Sequence, residues 1–320
     1  MSALGRRVVA GAIALALMVA LGGCVQRSGE WADAEYRIAG GGPTGVYYAY
    51  GSGLASELSE SLDVRMTAQE TAGSVDNLLR VGSGESLLGF AQGDAAADAV
   101  AGVGAFDQPL RVEALARLYD EYVHVVVRED SDVETIADLA GKTVSLGAEN
   151  SGVNVIAARV LDAAGVQASS VQDPQLDLAG SIRAMERAEI DGFFWVGGIP
   201  TPGIADLAAT LPVRLLPIEQ SWVNHVNEQY SDAYRPSDFP VGLYGLEESE
   251  PTMAVPNYLV TSSETPDGVV RDVLQGLFDA RTRLGLEVPA AALLDRRQAI
   301  FTGPVALHPG AIEFYRELRD

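Results

Sequence analysis

Apolar and polar positions along this chain follow two rhythms that take turns. Unbroken or alternating apolar runs predict strands at Tyr36 to Ala39, Val64 to Gln69, Leu87 to Gln92 and residues 112–118. Between them the spacing changes to three and four. Tyr47, Tyr50, Leu54 and Leu58 mark one face of a helix that begins at Gly45. Val75, Leu78, Leu79 and Val81 mark a second, with Ser74 as its cap, and a third helix starts at Asp94. The order repeats downstream. Tyr122 to Arg128 is a β-branched strand, Ile136 to Leu139 a short helix and Thr143 to Leu146 a strand. Ser151 opens a helix over 152–164 that Gly165 ends; Ser181 to Arg187 is helical, and Gly192 to Val196 is a buried strand. Thr201-Pro202 starts another helix, threonine at the cap and proline in the first turn, ahead of a strand at Val213 to Leu216. Residues 219–230 read as helical and 231–252 as irregular. Ala254 to Thr261 is a strand that Pro256 marks as bent or edge-like, and helices over 266–284 and 310–319 finish the chain.

Strands and helices in alternation predict an α/β fold, parallel sheets covered by helices. They form two blocks, 36–118 and 143–216, each flanked by a long extended segment, 119–128 and 252–262. Two lobes joined by two crossing strands satisfy that order, with lobe one at 36–121 and 255–320 and lobe two at 122–254. Such a pair leaves a cleft between its members.

The N-terminus changes the picture. Arg6 and Arg7 precede an apolar run, Val8 to Leu21, with small residues after it. That layout is a secretory signal over residues 1–23, and its about 14 apolar residues fall short of the roughly 20 a membrane span needs. Leu21-Gly22-Gly23-Cys24 resembles a bacterial lipobox, which implies cleavage before Cys24 and a lipid on its sulfur. Residues 24–35 then read as a flexible tether. The expected location is outside the cytoplasm, anchored to the outer face of the cytoplasmic membrane or in the periplasm. Cys24 is the only cysteine, so no disulfide can form within the chain. The whole chain has 22 basic and 44 acidic residues. Such a surface repels nucleic acid and anionic headgroups.

Candidate chemistry gathers where strands run into helices, the place at which open α/β sheets hold ligands. Four junctions are rich in glycine: GGGPTGVYY (40–48), TAGSVDN (71–77), GAENSGVNV (147–155) and VGGIPTPG (196–203). Glycine lets backbone approach a ligand, and first-turn amides suit a carboxylate or phosphate. FAQGD (90–94) sets Gln92 and Asp94 at a strand end. Gly40, Gly42 and Gly45 also spell G-x-G-x-x-G, with Glu70 where a dinucleotide site wants an acid. Export, Pro43 and the pair Tyr47-Tyr48 stand against that use. The three histidines lack ligand spacing, and no hydrolase motif is present, so neither a metal, a cofactor nor an enzyme is expected.

Several stretches together resemble the TAXI-type solute receptors of tripartite ATP-independent periplasmic (TRAP) transporters. They are GGGPTGVYYAYG (40–51), TAGSVDNL (71–78), GFAQGDAAADAVAG (89–102), LYDEYVHVVVRED (118–130), IADLAGKTVSLG (136–147), IDGFFWVGGIPTPGIADLAA (190–209), RLLPI (214–218) and LHPGAIEFY (307–315). The resemblance implies a type II periplasmic-binding-protein fold, two lobes closing on a small organic acid or amino acid such as glutamate, and delivery to membrane permease subunits. It implies ligand contacts at Thr44, Gly45, Tyr47, Ser74, Asn77, Gln92 and Asp94 from lobe one. From lobe two it implies Ser151, Gly152, Val153 and Asn154, and Trp195, Gly197, Gly198 and Pro200 around the loop after the tryptophan. Where Gly40, Val46, Val153 and Ile156 stand, such receptors often have threonine, and a charge where Asn154 stands. Those differences bear on which ligand fits. A receptor that reports to a membrane signalling protein, and an exported enzyme with a dinucleotide site at 40–45, are the alternatives.

Overall fold

Two long strands carry the architecture. In the computed structural model, which describes residues 30–32 and 34–318, β4 (Val112–Arg128) and β9 (Glu250–Ser262) lie antiparallel in the middle of one sheet. The expected signal segment, Cys24 and most of the tether lie outside the described residues. Along the sheet the order is β2-β1-β3-β9-β4-β6-β5. β1 (Glu35–Ala39) pairs in parallel with β2 (Arg65–Gln69) and β3 (Leu88–Gln92), as does β5 (Val144–Ser145) with β6 (Gly192–Gly197). β7 (Val213–Leu215) pairs with β4, and β8 (Arg235–Phe239) with β9. Parallel neighbours need helical crossovers, which is what the alternating rhythm supplies.

Helices cover both faces of each half of this curled sheet. In the first half, α1 (Val46–Leu62), α8 (Asp267–Glu287) and α9 (Pro309–Glu317) close one core around Tyr50, Leu54, Leu58, Leu274 and Phe314. On its other face α2 (Ser74–Gly82) and α3 (Gly93–Ala101) bury Val75, Leu78, Ala95 and Ala99. In the second half α4 (Gly152–Ala163) and α7 (Gln220–Gln229) bury Ile156, Val160, Val223 and Val226. Opposite them lie α5 (Leu178–Glu186) and α6 (Pro202–Thr210), with Leu178, Met185, Ile204 and Leu207 inward. Among the described residues no helix is long and apolar enough to cross a membrane.

Three local expectations change. The strands expected at 112–118 and 122–128 are one, β4, with irregular register at Ala114/Ala116 and Arg117/Tyr119. β8 lies inside the stretch that read as irregular. Its sequence, RPSDF, has no apolar alternation, and it is held by pairing Arg235 to Phe239 with Ala254 to Glu250 of β9. Pro256 sits in a central strand rather than an edge. It falls where β9 leaves β8, whose ladder ends at Ala254, and before β3 begins at Asn257, so on the side away from β4 neither neighbour needs the missing N–H.

The two halves also share a buried ion cluster. Arg159 of α4 donates to Asp94 of α3 at 2.8 Å and to Asp98 at 2.5 Å. It also donates to the Tyr234 hydroxyl at 3.0 Å, which in turn donates to Asp94 at 2.5 Å. Asp94, Asp98 and Arg159 are all buried, and one Asp94 oxygen has no partner among the described residues. Burial is the largest influence on the Asp98 carboxyl and pushes its pKa up against the pull of Arg159. Removing the cation would leave two desolvated carboxyls facing each other. Arg159→Met is therefore expected to lower the unfolding free energy by about 3–5 kcal/mol, read from urea denaturation at neutral pH. A loss under about 1 kcal/mol would mean the cluster is solvated.

Candidate functional site

A cavity of ≈ 60 Å³ lies between the halves, at the level where β4 and β9 exchange partners. By the same measure a water needs roughly 10–15 Å³, so a small solute or a few waters fit. Its wall is built from the loops entering α1, α2, α4 and α5, from the ends of β3 and β6, and from the middle of β4. Of the residues singled out in the sequence, Thr44, Gly45, Tyr47, Ser74, Gln92, Ser151, Gly152, Val153, Trp195 and Gly197 line it.

The other five stand off the wall. Asn77 accepts from the Thr71 hydroxyl at 2.5 Å and donates to the Phe90 carbonyl at 2.8 Å, tying two strand ends together behind the cavity. Asp94 belongs to the Arg159 cluster. Asn154 gives its backbone N–H to the Ser151 hydroxyl, 3.1 Å away, as the capped residue of α4. The Gly198 carbonyl accepts from the Thr201 hydroxyl at 2.7 Å, and Pro200 is exposed.

Close approach explains the glycines. A Cβ on Gly152 would lie 1.8 Å from Gln92 Oε1 and 2.9 Å from Ser74 Oγ, atoms of the opposite half. One on Gly45 would lie 3.3 Å from the Trp195 ring. Gly73 has φ +124 and faces Ser151, a conformation that side chains resist. The Asp76 N–H donates to the Asn150 carbonyl across the gap, 3.1 Å. The G-x-G-x-x-G spacing thus seats a tryptophan ring against the loop at its last glycine.

Local chemistry differs from expectation at two hydroxyls. Ser74 was expected to cap α2, but Gly73 takes the cap position and frees the serine hydroxyl to accept from the Gln92 N–H at 3.1 Å. Thr201 precedes α6 as expected, yet its hydroxyl accepts from Trp195 Nε1 at 3.1 Å instead of capping. Ser151 does cap α4.

Sequence reasoning passed over Glu121, the centre of the site. It lines the cavity and is buried. Its Oε2 accepts from the Tyr47 hydroxyl at 2.9 Å and from Gln92 Nε2 at 3.0 Å, and its Oε1 from the Tyr119 hydroxyl at 3.1 Å. Asn257 of β9 donates to the Tyr47 oxygen at 2.7 Å. Burial is the largest influence and pushes the Glu121 carboxyl up to about 8, against the lowering by its three donors. Tyr119 and Glu121 are two apart, hence on one face of a strand that leads into the apolar run Val125 to Val127. An acid beside such a run was the signal available. No Lys, Arg or His lines the cavity, whereas Glu121 and Asp177 do. Among the described residues no three His, Cys, Asp or Glu side chains converge so as to hold a metal ion.

Comparison with known proteins places this geometry. Residues 38–318 match the model of the NMT1-like family. In fold the chain is similar to MatC from Rhodopseudomonas palustris with bound malate, at 14% identity over 88% of this chain and 97% of that one, TM-score 0.56. It is also similar to a binding protein component of an ABC phosphonate transporter from Pseudomonas aeruginosa, at 11% identity over 82% and 80%, TM-score 0.55. A protein described as a periplasmic transporter aligns at 12% identity over 89% and 92%, TM-score 0.52. The family is one of periplasmic solute-binding proteins of transport rather than of enzymes, and two of these neighbours are described as a transporter or its binding component.

Two outcomes follow from the packing. Gly152→Ala should hold the halves apart, because its methyl meets Gln92 and Ser74; solution X-ray scattering should show a larger radius of gyration than wild type. An identical radius would show that Gln92 yields. Glu121→Gln should stabilise the fold in a pH-dependent way. The folded state keeps a proton on Glu121 up to about pH 8, while the unfolded chain loses it near pH 4.3. Wild type therefore loses stability as pH rises through that window. The advantage of Glu121→Gln in urea denaturation should grow by up to about 1.4 kcal/mol per pH unit between pH 5 and 8. A pH-independent difference would place the carboxyl in contact with solvent.

Proposed function

Because the chain belongs to the NMT1-like family, a family of periplasmic solute-binding proteins, we propose that it is the extracytoplasmic receptor of a TAXI-type TRAP transporter. It captures a small organic acid or amino acid and presents it to membrane permease subunits. The observation that carries this reading is the convergence of glycine-bearing helix starts from both halves on one cavity with buried polar side chains in its lining. The amides of Val46 and Tyr47 in α1, Ser74 and Val75 in α2, and Gly152 and Val153 in α4 have no acceptor within their own helices, so they suit a carboxylate. Ser74 and Gln92 add side-chain hydrogen bonds.

In this reading residues 36–121 and 255–320 act as one lobe and 122–254 as the other. They close about the two crossing strands, and closure is driven by tighter binding to the closed form. Cys24 carries the lipid that keeps the receptor at the membrane, which suits handover to a permease.

Calorimetric titration with glutamate, glutamine, 2-oxoglutarate and C4 dicarboxylates tests the assignment, together with mass spectrometry of any compound retained through purification. At least one small acid or amino acid is expected to bind, and Ser74→Ala with Gln92→Ala should weaken it by roughly 10–100-fold, two hydrogen bonds' worth. No binding by any of these, with no retained compound, would remove the receptor reading.

A further inference from the structure

The receptor reading leaves open which end of a ligand lies deepest, and the floor of the cavity answers it. The group at that depth is a carboxyl, not a cation. Glu121 is buried there with three donors, from α1 (Tyr47), from β3 (Gln92) and from its own strand (Tyr119). A carboxylate offers about four acceptor positions, so one remains. Beside it the Gln92 side-chain oxygen is buried and has no hydrogen-bond partner among the described residues. That oxygen packs against the start of α4 of the other half, since a Cβ on Gly152 would lie only 1.8 Å from it. The remaining charged group near Glu121 is Asp94 at the start of α3, which adds negative potential. A buried acceptor left unpaired is costly, and the natural remedy is a donor from the guest.

Resting on the receptor reading, we propose that Glu121 and the free Gln92 oxygen select a ligand whose inner end is a protonated amine, and exclude one that brings a second carboxylate there. The amine bridges the two acceptors. Its partner carboxylate lies toward the amides of Ser74, Val75, Gly152 and Val153 at the starts of α2 and α4. The rest of the ligand meets a wall of Leu176, Leu178, Phe194 and Trp195, in which the Asp177 carboxylate is engaged as the cap of α5, accepting from the Gly180 N–H. No lining cation is available for a side-chain acid. The class that fits is therefore an amino acid with an uncharged, apolar side chain, in preference to a dicarboxylate or a 2-oxo acid.

Glu121 holds its proton at neutral pH, because burial raises its carboxyl. An arriving ammonium reverses that preference and releases the proton. Capture of an amine ligand is therefore expected to strengthen as pH rises toward 8, by up to about tenfold per unit.

Matched pairs that differ only in amine against keto group provide the test: L-leucine with 4-methyl-2-oxopentanoate, and L-glutamate with 2-oxoglutarate. Each is titrated calorimetrically into the wild-type chain and into Glu121→Gln, whose folding is checked by thermal unfolding. In wild type at pH 7.5, leucine should exceed its 2-oxo partner by on the order of 100-fold or more, and should exceed glutamate. In Glu121→Gln the ratio within each pair should fall to less than about fivefold, and the pH dependence from 6 to 8 should flatten. If the variant does not fold, the wild-type ratio and its pH slope decide. Binding of 2-oxoglutarate as tight as that of any amino acid overturns the amine selection and leaves the receptor standing. An unchanged ratio in Glu121→Gln does the same. Failure of all four to bind, with no compound retained through purification, removes both.

Discussion

The structure depends on a pair of strands that stay bonded to each other while their outer neighbours change. β4 and β9 share a ladder from Val112/Ser262 to Tyr122/Ala254. Across that length β9 passes from β3 to β8, and β4 takes up β6 from Tyr122 onward. Each half closes its own cores on helices, but the sheet between them is never broken. Residues at the exchange, Tyr119, Glu121 and Asn257, are held by backbone from both strands. They are consequently placed more rigidly than any loop could place them, and the polar floor of the cavity is made of these residues and their partners.

Charge follows from that placement. The chain as a whole is strongly acidic, and the carboxyl groups of Glu121 and Asp177 line its cavity with no Lys, Arg or His among the lining residues. Helix starts compensate in part, since each offers fractional positive charge and free N–H groups. Backbone donors of the helix starts and the side-chain acceptors Glu121 and Gln92 thus meet in one cavity.

Much of this was legible in the residues. Regular apolar spacing located the helices and most strands to within a few positions, and glycine-bearing junctions pointed to the loops that line the cavity. What escaped had physical causes. RPSDF shows no apolar alternation, because β8 is held by β9 rather than by a core of its own. Ser74 looks like a cap, and only the positive φ of Gly73 hands the cap position to the glycine. Asp94 stands beside Gln92 in the chain, yet the helix start turns its side chain to Arg159, a partner 65 positions away. Glu121 sits in a run of apolar and charged residues in which burial depends on the strands to either side, information that a linear pattern does not contain.

Arg159 carries a consequence for how such a receptor can be tuned. It ties α3 of one half to α4 of the other at a point that no guest touches. Part of the free energy that holds the two halves together is thus set by residues outside the cavity lining. Exchanges among Asp94, Asp98, Arg159 and Tyr234 could reset the concentration at which the receptor fills while every group that recognises the guest stays the same.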